Sequence, residues 1–224
     1  TPGHPELGHT PGVETTTGPL GQGFANGVGL AMAQRFLAER YNRPQHEVVD
    51  SRVYAICSDG DLMEGVSQEA ASIAGHLGLG RLVYVYDDNR ITIDGATTLS
   101  FDTEDKGRRF EAYGWQVLHV ADAEDLDALA AAFDEARAET RRPSLIVLRT
   151  HIAYPAPRAI DTSKAHGAPL GEAEVRAAKE AMGLDPEATF AVADAVRKHM
   201  AVTAERGAAA QREWEGRLAA WASA

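Results

Sequence analysis

Two short apolar runs, Val53-Tyr54-Ala55-Ile56-Cys57 and Leu82-Val83-Tyr84-Val85-Tyr86, constrain this chain more than anything else in it. Both have the length and the β-branched and aromatic composition of strands. Between them Val66, Ala70, Ile73, Ala74 and Leu77 recur at steps of three and four, the period of an amphipathic helix. The result is a strand–helix–strand unit. Each strand ends in polar residues, Ser58-Asp59-Gly60-Asp61 after the first and Asp87-Asp88-Asn89 after the second. In open α/β sheets that carboxyl end is where ligands bind.

Those polar residues suit a diphosphate held through a metal. Asp59 and Asn89 offer hard oxygen donors, and Mg²⁺ takes one or two protein carboxylates together with phosphate oxygens. Gly60 allows a close approach of backbone to ligand. The following helix is expected to begin near Asp61, where its free N–H groups favour an anion. Either half alone would read as an ordinary Asp-Gly turn or an Asp-Asp-Asn loop. Together, at the ends of adjacent strands, they read as a site.

Charge sharpens this point. With 22 Lys and Arg against 33 Asp and Glu the net charge is −11, and the pI is near 5.2. Such a balance argues against generic nucleic-acid binding, so phosphate must be held by a local device. Cys57 is the only cysteine among 224 residues, which excludes an intrachain disulfide. At the end of an apolar strand it reads as core rather than nucleophile. No apolar run reaches membrane-spanning length and no signal peptide opens the chain, so the expectation is a cytoplasmic protein.

Taken in order, residues 1–22 are rich in Gly, Pro and Thr and read as a long loop. A helix follows over 23–40, with Ala25, Val28, Gly29, Ala31, Met32 and Phe36 as its expected buried face. Its small residues suggest close packing on another helix or a partner subunit. Residues 41–51 form a polar connector. Ile91-Thr92-Ile93-Asp94-Gly95 is an extended piece ending in a turn. A short helix is expected over 103–112, a strand over 115–120, a helix over 124–139 capped by Asp122 or a neighbour, and a strand over 145–148. The alternation predicts an α/β fold: a doubly wound, mostly parallel sheet with helices on both faces. Pro155 and Pro157 keep residues 150–171 a loop. Residues 172–182 and 187–199 are expected to be helical. Residues 201–224 form an Ala-rich tail with Trp214, Leu218 and Trp221 at helical steps.

Longer blocks carry a resemblance. Asp59-Gly60-Asp61-Leu62-Met63-Glu64-Gly65, Glu69-Ala70-Ala71-Ser72-Ile73-Ala74-Gly75-His76-Leu77 and Asp87-Asp88-Asn89-Arg90-Ile91-Thr92-Ile93-Asp94-Gly95 resemble transketolase. So do Thr1-Pro2-Gly3-His4-Pro5-Glu6, Thr16-Thr17-Gly18-Pro19-Leu20-Gly21-Gln22-Gly23 and His166-Gly167-Ala168-Pro169-Leu170-Gly171. The order is the family's. One departure is Ser58, where the family usually has glycine, and His9 falls in a segment one residue longer than usual and stays unassigned.

The resemblance implies thiamine diphosphate as cofactor with Mg²⁺, Ca²⁺ or Mn²⁺ as alternatives. The metal ligands would be Asp59, Asn89 and the backbone carbonyl of Ile91. Cofactor contacts would come from Gly18, Leu20, Gly60, Glu64, Asn89, Ile93, Ile152 and His166. His4 and His166 would serve the substrate. Glu64 and Glu69 would meet their symmetry mates in a homodimer. His46, His76, His119 and His199 would be structural or exposed.

The implied activity is transfer of a two-carbon ketol unit from a ketose phosphate, such as xylulose 5-phosphate, to an aldose phosphate, such as ribose 5-phosphate. Residues 1–200 would bind the diphosphate end of the cofactor, and 201–224 would lead toward a pyrimidine-binding domain in the same or another chain. Upstream residues and the glutamate of that second domain would complete the site, so the chain alone is expected to be inactive. A split-enzyme subunit, a non-catalytic module of the same fold, or another thiamine-diphosphate enzyme (deoxyxylulose-phosphate synthase or the first component of pyruvate dehydrogenase) are the alternatives.

Overall fold

The computed structural model describes residues 5–224, so the expectation for His4 lies outside the described residues. Strand β1 (Val53–Ser58) runs parallel to β2 (Leu82–Asp88), with Cys57 opposite Tyr86 and Ser58 opposite Asp87. The register places Asp59 and Asn89 just past neighbouring strand ends. Strands β5 (Gln116–Val120) and β6 (Ser144–Arg149) complete a four-stranded sheet of order β1-β2-β6-β5, in which every pairing is parallel. A separate two-stranded hairpin pairs β3 (Ile91–Thr92) with β4 (Gly95–Ala96).

Helices cover the two sheet faces unequally. Helix α1 (Gln22–Tyr41), α3 (Gly65–Leu77) and α4 (Lys106–Ala112) lie on one face. Their core joins Phe24, Val28, Ala31, Ala71, Ala74 and Phe110 to Tyr84, Tyr86 and Trp115. Helix α5 (Leu126–Ala138) covers the other face, packing Ala132 and Ala136 on Val83, Val120 and Ile146. Over β1 that second face is only partly covered: Tyr54 meets Phe133 of α5 edge-on with ring centroids 6.2 Å apart, and Ile56 is 80% exposed.

The small residues of α1 admit close packing. A Cβ on Gly27 would come within 2.1 Å of the Tyr84 hydroxyl oxygen, which donates to the Phe24 carbonyl at 2.5 Å. The expected buried face needs correction, however. Val28 and Ala31 are buried, but Gly29, Met32 and Phe36 point outward, and Phe24, Gly27 and Gln34 take their place. Phe24 stacks on Tyr84 with ring centroids 4.3 Å apart, and that contact sets the helix rotation.

Two helical expectations also shift. The expected helix after the Asp-Gly turn is two helices, a five-residue α2 (Asp59–Met63) and then α3, because Glu64 between them is extended at φ −77° and ψ 137°. The helix expected from 187 starts instead at Asp194. Phe190, at φ 51°, interrupts any earlier start. From there α8 runs unbroken to Ser223, with residue 200 inside it. Its far end is fastened by Trp214 Nε1 donating to the Val48 carbonyl at 2.9 Å and Trp221 Nε1 to the Tyr41 carbonyl at 2.7 Å. The remaining boundaries agree closely with expectation, and Asp125, a neighbour of Asp122, caps α5 by accepting from Ala128 N at 2.9 Å. Within 150–171 a four-residue α6 (Lys164–Gly167) carries His166, and α7 (Glu172–Ala181) follows.

Candidate functional site

The carboxyl ends of β1 and β2 converge on Asp59, whose side chain is wholly buried. One carboxylate oxygen accepts the Tyr86 hydroxyl at 2.6 Å, and the other accepts the Arg90 backbone N–H at 3.0 Å. The second bond draws the loop after β2 against the Asp-Gly turn. Arg90 holds φ 64° to make it. Within that loop Asn89 Oδ1 accepts from Ile91 N at 2.9 Å, and Asn89 Nδ2 donates to Asp87 Oδ2 at 3.1 Å. Asp59, Asn89 and the Ile91 backbone therefore lie on one connected network.

Burial pushes the Asp59 carboxyl above the usual aspartate range, although Tyr86, the Arg90 N–H and Lys106 pull the other way. The Lys106 ammonium lies 4.0 Å from the carboxylate and is itself tied to the Phe101 carbonyl at 3.1 Å. A buried carboxylate this poorly compensated suits a cation, since an ion without a close partner is costly to bury. No cluster of three or more His, Cys, Asp or Glu side chains able to hold a metal occurs among the described residues. A cation here would have to draw on Asn89 Oδ1, which keeps acceptor capacity, and on backbone carbonyl oxygen. That mixture of hard oxygen donors fits Mg²⁺. Cys57, just beneath, is buried, and burial followed by Asp61, Asp59 and Asp87 pushes its thiol well up, which leaves it inert.

Asp61 holds the Gly-rich loop to this point. One of its oxygens accepts Gly21 N at 3.0 Å, and the other accepts Ser58 N at 3.0 Å. Gly21 itself needs φ 77° and sits where a Cβ would strike Glu64 and Val66. Leu20 packs toward Gly60, whose added Cβ would meet Leu20 Cδ1 at 3.2 Å. Gly18 and Leu20 are exposed beside this turn. Ser58 has φ −124° and ψ −178°, extended backbone open to any residue, so the departure from glycine strains nothing. Helix α2 is short, and Asp59 and Asp61 fill its first turn. Its free N–H groups are thus a weaker anion device than the sequence suggested.

The 150–171 loop joins the same edge through Thr150, which bonds Asp87 by its hydroxyl and donates from its backbone N to the Asp88 carbonyl at 3.4 Å. Arg149 Nη1 also donates to that carbonyl, at 2.6 Å. Ile152 is half-buried, and its carbonyl accepts Asp161 N at 3.1 Å. His166 is exposed on α6, Ile93 projects from the β3–β4 turn, and Glu64 and Glu69 are exposed on and before α3. No hydrogen bond among the described residues links His166 to Asp59 or Asn89. His46 is half-buried, while His76, His119 and His199 are exposed.

Sequence reasoning missed Asp61, Tyr86 and Lys106. Only the Asp-x-Asp spacing at 59 and 61 hinted at the first. The other two act on Asp59 across 27 and 47 residues of chain, and no local pattern announces such a contact.

Comparison with known proteins bears on the family and the fold. A family model described as "Transketolase, thiamine diphosphate binding domain" matches residues 1–224. A transketolase of Geobacillus stearothermophilus is 52% identical over 225 residues, covering 100% of this chain and 34% of the relative. One of Bacillus subtilis is 50% identical, covering 98% and 33%. The solved transketolase from Leishmania mexicana superposes with a TM-score of 0.96 at 46% identity, covering 100% of this chain and 33% of that one. A transketolase from Pichia stipitis in complex with sedoheptulose 7-phosphate gives 0.95 at 45% identity, covering 99% and 32%. The chain thus spans about a third of the length of the relatives it matches. Matched along its whole length by that family model, the chain belongs to the transketolase family and corresponds to its thiamine diphosphate binding domain.

Proposed function

We propose that this domain anchors the diphosphate end of thiamine diphosphate through a divalent cation, within an enzyme that moves a two-carbon ketol unit from a ketose phosphate to an aldose phosphate. The observation that carries the reading is the buried Asp59 carboxylate tied to the 89–91 turn by the Arg90 N–H. In this reading Asp59, Asn89 Oδ1 and the Ile91 carbonyl hold Mg²⁺, with Ca²⁺ or Mn²⁺ as substitutes. Bound thiamine diphosphate supplies an electron sink for the two-carbon unit.

The residues of this chain bind, orient and exclude water. Leu20, Ile93 and Ile152 give apolar walls; the first two are exposed around the turn, as surface awaiting a ligand would be. Gly18 and Gly60 allow backbone close to the cofactor. His166, together with His4, is assigned to the sugar hydroxyls, where a neutral imidazole can donate from one nitrogen and accept at the other. Exposed Glu64 and Glu69 are assigned to a homodimer interface beside the cofactor, and the pyrimidine end to a second domain. Xylulose 5-phosphate and ribose 5-phosphate are the substrates to try first. No described helix is long and apolar enough to cross a membrane.

Calorimetry on the full-length protein tests the anchor. Thiamine diphosphate should bind tightly only with Mg²⁺ present, and Asp59→Ala should abolish that dependence. An Asp59→Ala protein that binds the cofactor with unchanged affinity would refute the assignment.

A further inference from the structure

The 150–171 loop is fastened at its start by Thr150 and Arg149, and those bonds do not reach the segment that carries His166. A second fastening lies across it. Glu174, in the first turn of α7, is only 6% exposed. One of its carboxylate oxygens accepts two backbone N–H groups, from Arg158 at 2.6 Å and Ala159 at 2.9 Å. The other accepts Arg158 Nε at 2.9 Å.

A glutamate in a helix's first turn has an ordinary role, complementing the free N–H groups of its own helix. Glu174 does something else. Its backbone donors lie 15 and 16 residues upstream, so these hydrogen bonds close a loop of chain upon itself. That loop contains α6 and His166 and borders an open cavity of about 700 Å³, lined in part by Arg158, Lys164, Leu170 and Glu174. From the same corner Asp161 reaches back: its N–H bonds the Ile152 carbonyl, and its carboxylate takes His151 Nδ1 at 2.8 Å. Bonds to backbone fix the path of the main chain and not merely a side chain. Since the Arg158 guanidinium is largely exposed, the two backbone bonds to the buried oxygen are the durable part. The Arg158 N–H, ahead of the guanidinium and the Ala159 N–H, holds the Glu174 carboxyl below the usual carboxylate range, so it is ionised at neutral pH.

We propose that Glu174 is a positioning residue: its carboxylate latches residues 158–159 to the start of α7 and so sets where Ile152 and His166 stand. The positioning role rests on the functional reading above, whereas the latch itself does not.

Glu174→Ala, Glu174→Gln and Arg158→Ala in the full-length protein separate the possibilities. Amide hydrogen exchange of residues 158–166, measured without cofactor or substrate, reads the latch. Glu174→Ala should speed it by roughly tenfold or more, the loss of bonds to a charged acceptor. Glu174→Gln, which keeps an oxygen for the two N–H groups, should stay near the unaltered protein, as should Arg158→Ala, which keeps both N–H groups. In kinetics Glu174→Ala should raise the donor-sugar KM by roughly tenfold with a smaller change in kcat, and Glu174→Gln should rescue it. A merely structural glutamate would lower the melting temperature without that split. Unchanged exchange in Glu174→Ala would overturn the latch, and faster exchange with unchanged KM would overturn the positioning role. Should Glu174→Ala fail to fold, Glu174→Gln decides: a rise in donor KM as large as that of His166→Ala would overturn the backbone-latch account. Absence of ketol transfer in the unaltered protein would refute the functional reading, leaving the exchange result to decide the latch.

Discussion

Tyr86 donates its hydroxyl proton to Asp59 across 2.6 Å, and both side chains are shut away from solvent. The pair joins the ends of two parallel strands, so whatever Asp59 binds is held to the sheet itself. Tyr86 is correspondingly reluctant to ionise, because burial comes first and Asp59 second in raising its pKa.

Tyr86→Phe keeps the ring in the core and removes only the donor. Losing one hydrogen bond to a charged acceptor costs about 1.5–3 kcal/mol. Urea denaturation should show that loss, with no change in m-value. Mg²⁺-dependent cofactor affinity should weaken as well, since the carboxylate is no longer oriented. Equal stability of the two proteins would show that the bond contributes nothing.

Asp59 has a second consequence, for stability against pH. Its folded-state pKa is raised, chiefly by burial. The protonated form therefore favours the fold, and that contribution is fully present below the unfolded pKa and lost as pH rises through the folded one. At neutral pH the charged Asp59 is a burden on the metal-free protein. Asp59→Asn should raise the metal-free melting temperature at pH 8, with the gain shrinking toward pH 4. Mg²⁺ with thiamine diphosphate should stabilise the unaltered protein only. A lower melting point for Asp59→Asn at pH 8 would contradict this account.

Glycines in α3 should differ sharply. A Cβ on Gly75 would lie 1.7 Å from the Tyr113 carbonyl oxygen, which is fixed backbone, whereas one on Gly65 meets nothing within 4 Å. Gly75→Ala should cost about 3 kcal/mol or more by forcing α3 off the chain at Tyr113. Gly65→Ala should gain about 0.5–1 kcal/mol from reduced freedom of the unfolded chain. Thermal melts of the two variants check the contrast.

These contacts also mark how far the sequence could be read. Strands β1 and β2 and helix α3 were legible because their apolar periods differ and their polar ends are distinct. The rotation of α1 was not, because its small residues suit several faces and only Phe24 stacking on Tyr84 selects one. The start of α8 was hidden because the backbone at Phe190, and not a proline or glycine, interrupts it. Asp59 and Asn89 stood out by position at strand ends. Lys106, Tyr86 and Glu174 act on partners distant in sequence, and their type in isolation says only that they are an exposed-looking lysine, a strand tyrosine and a helix glutamate.

The histidines give the last prediction. His166 is exposed on α6, within the loop that Thr150 ties to the sheet edge and Glu174 ties to α7, whereas His46 sits in a connector whose backbone pairs with Arg43. If His166 stands between diphosphate and sugar, His166→Ala should impair both cofactor retention and donor kinetics. His4→Ala should impair chiefly the donor kinetics, because its assigned contact is to the sugar alone. A lost bond to the charged diphosphate corresponds to about tenfold or more in the affected constant, and one to a neutral sugar hydroxyl to about two- to tenfold. His166→Ala should not move the melting temperature much, since the exposed His166 imidazole contributes little burial. His46→Ala is the control, expected to leave every kinetic constant within about twofold, as surface changes away from a site do. A fall in His46→Ala as deep as in His166→Ala would show that the kinetics report general damage, and the assignment of both site histidines would fail with it.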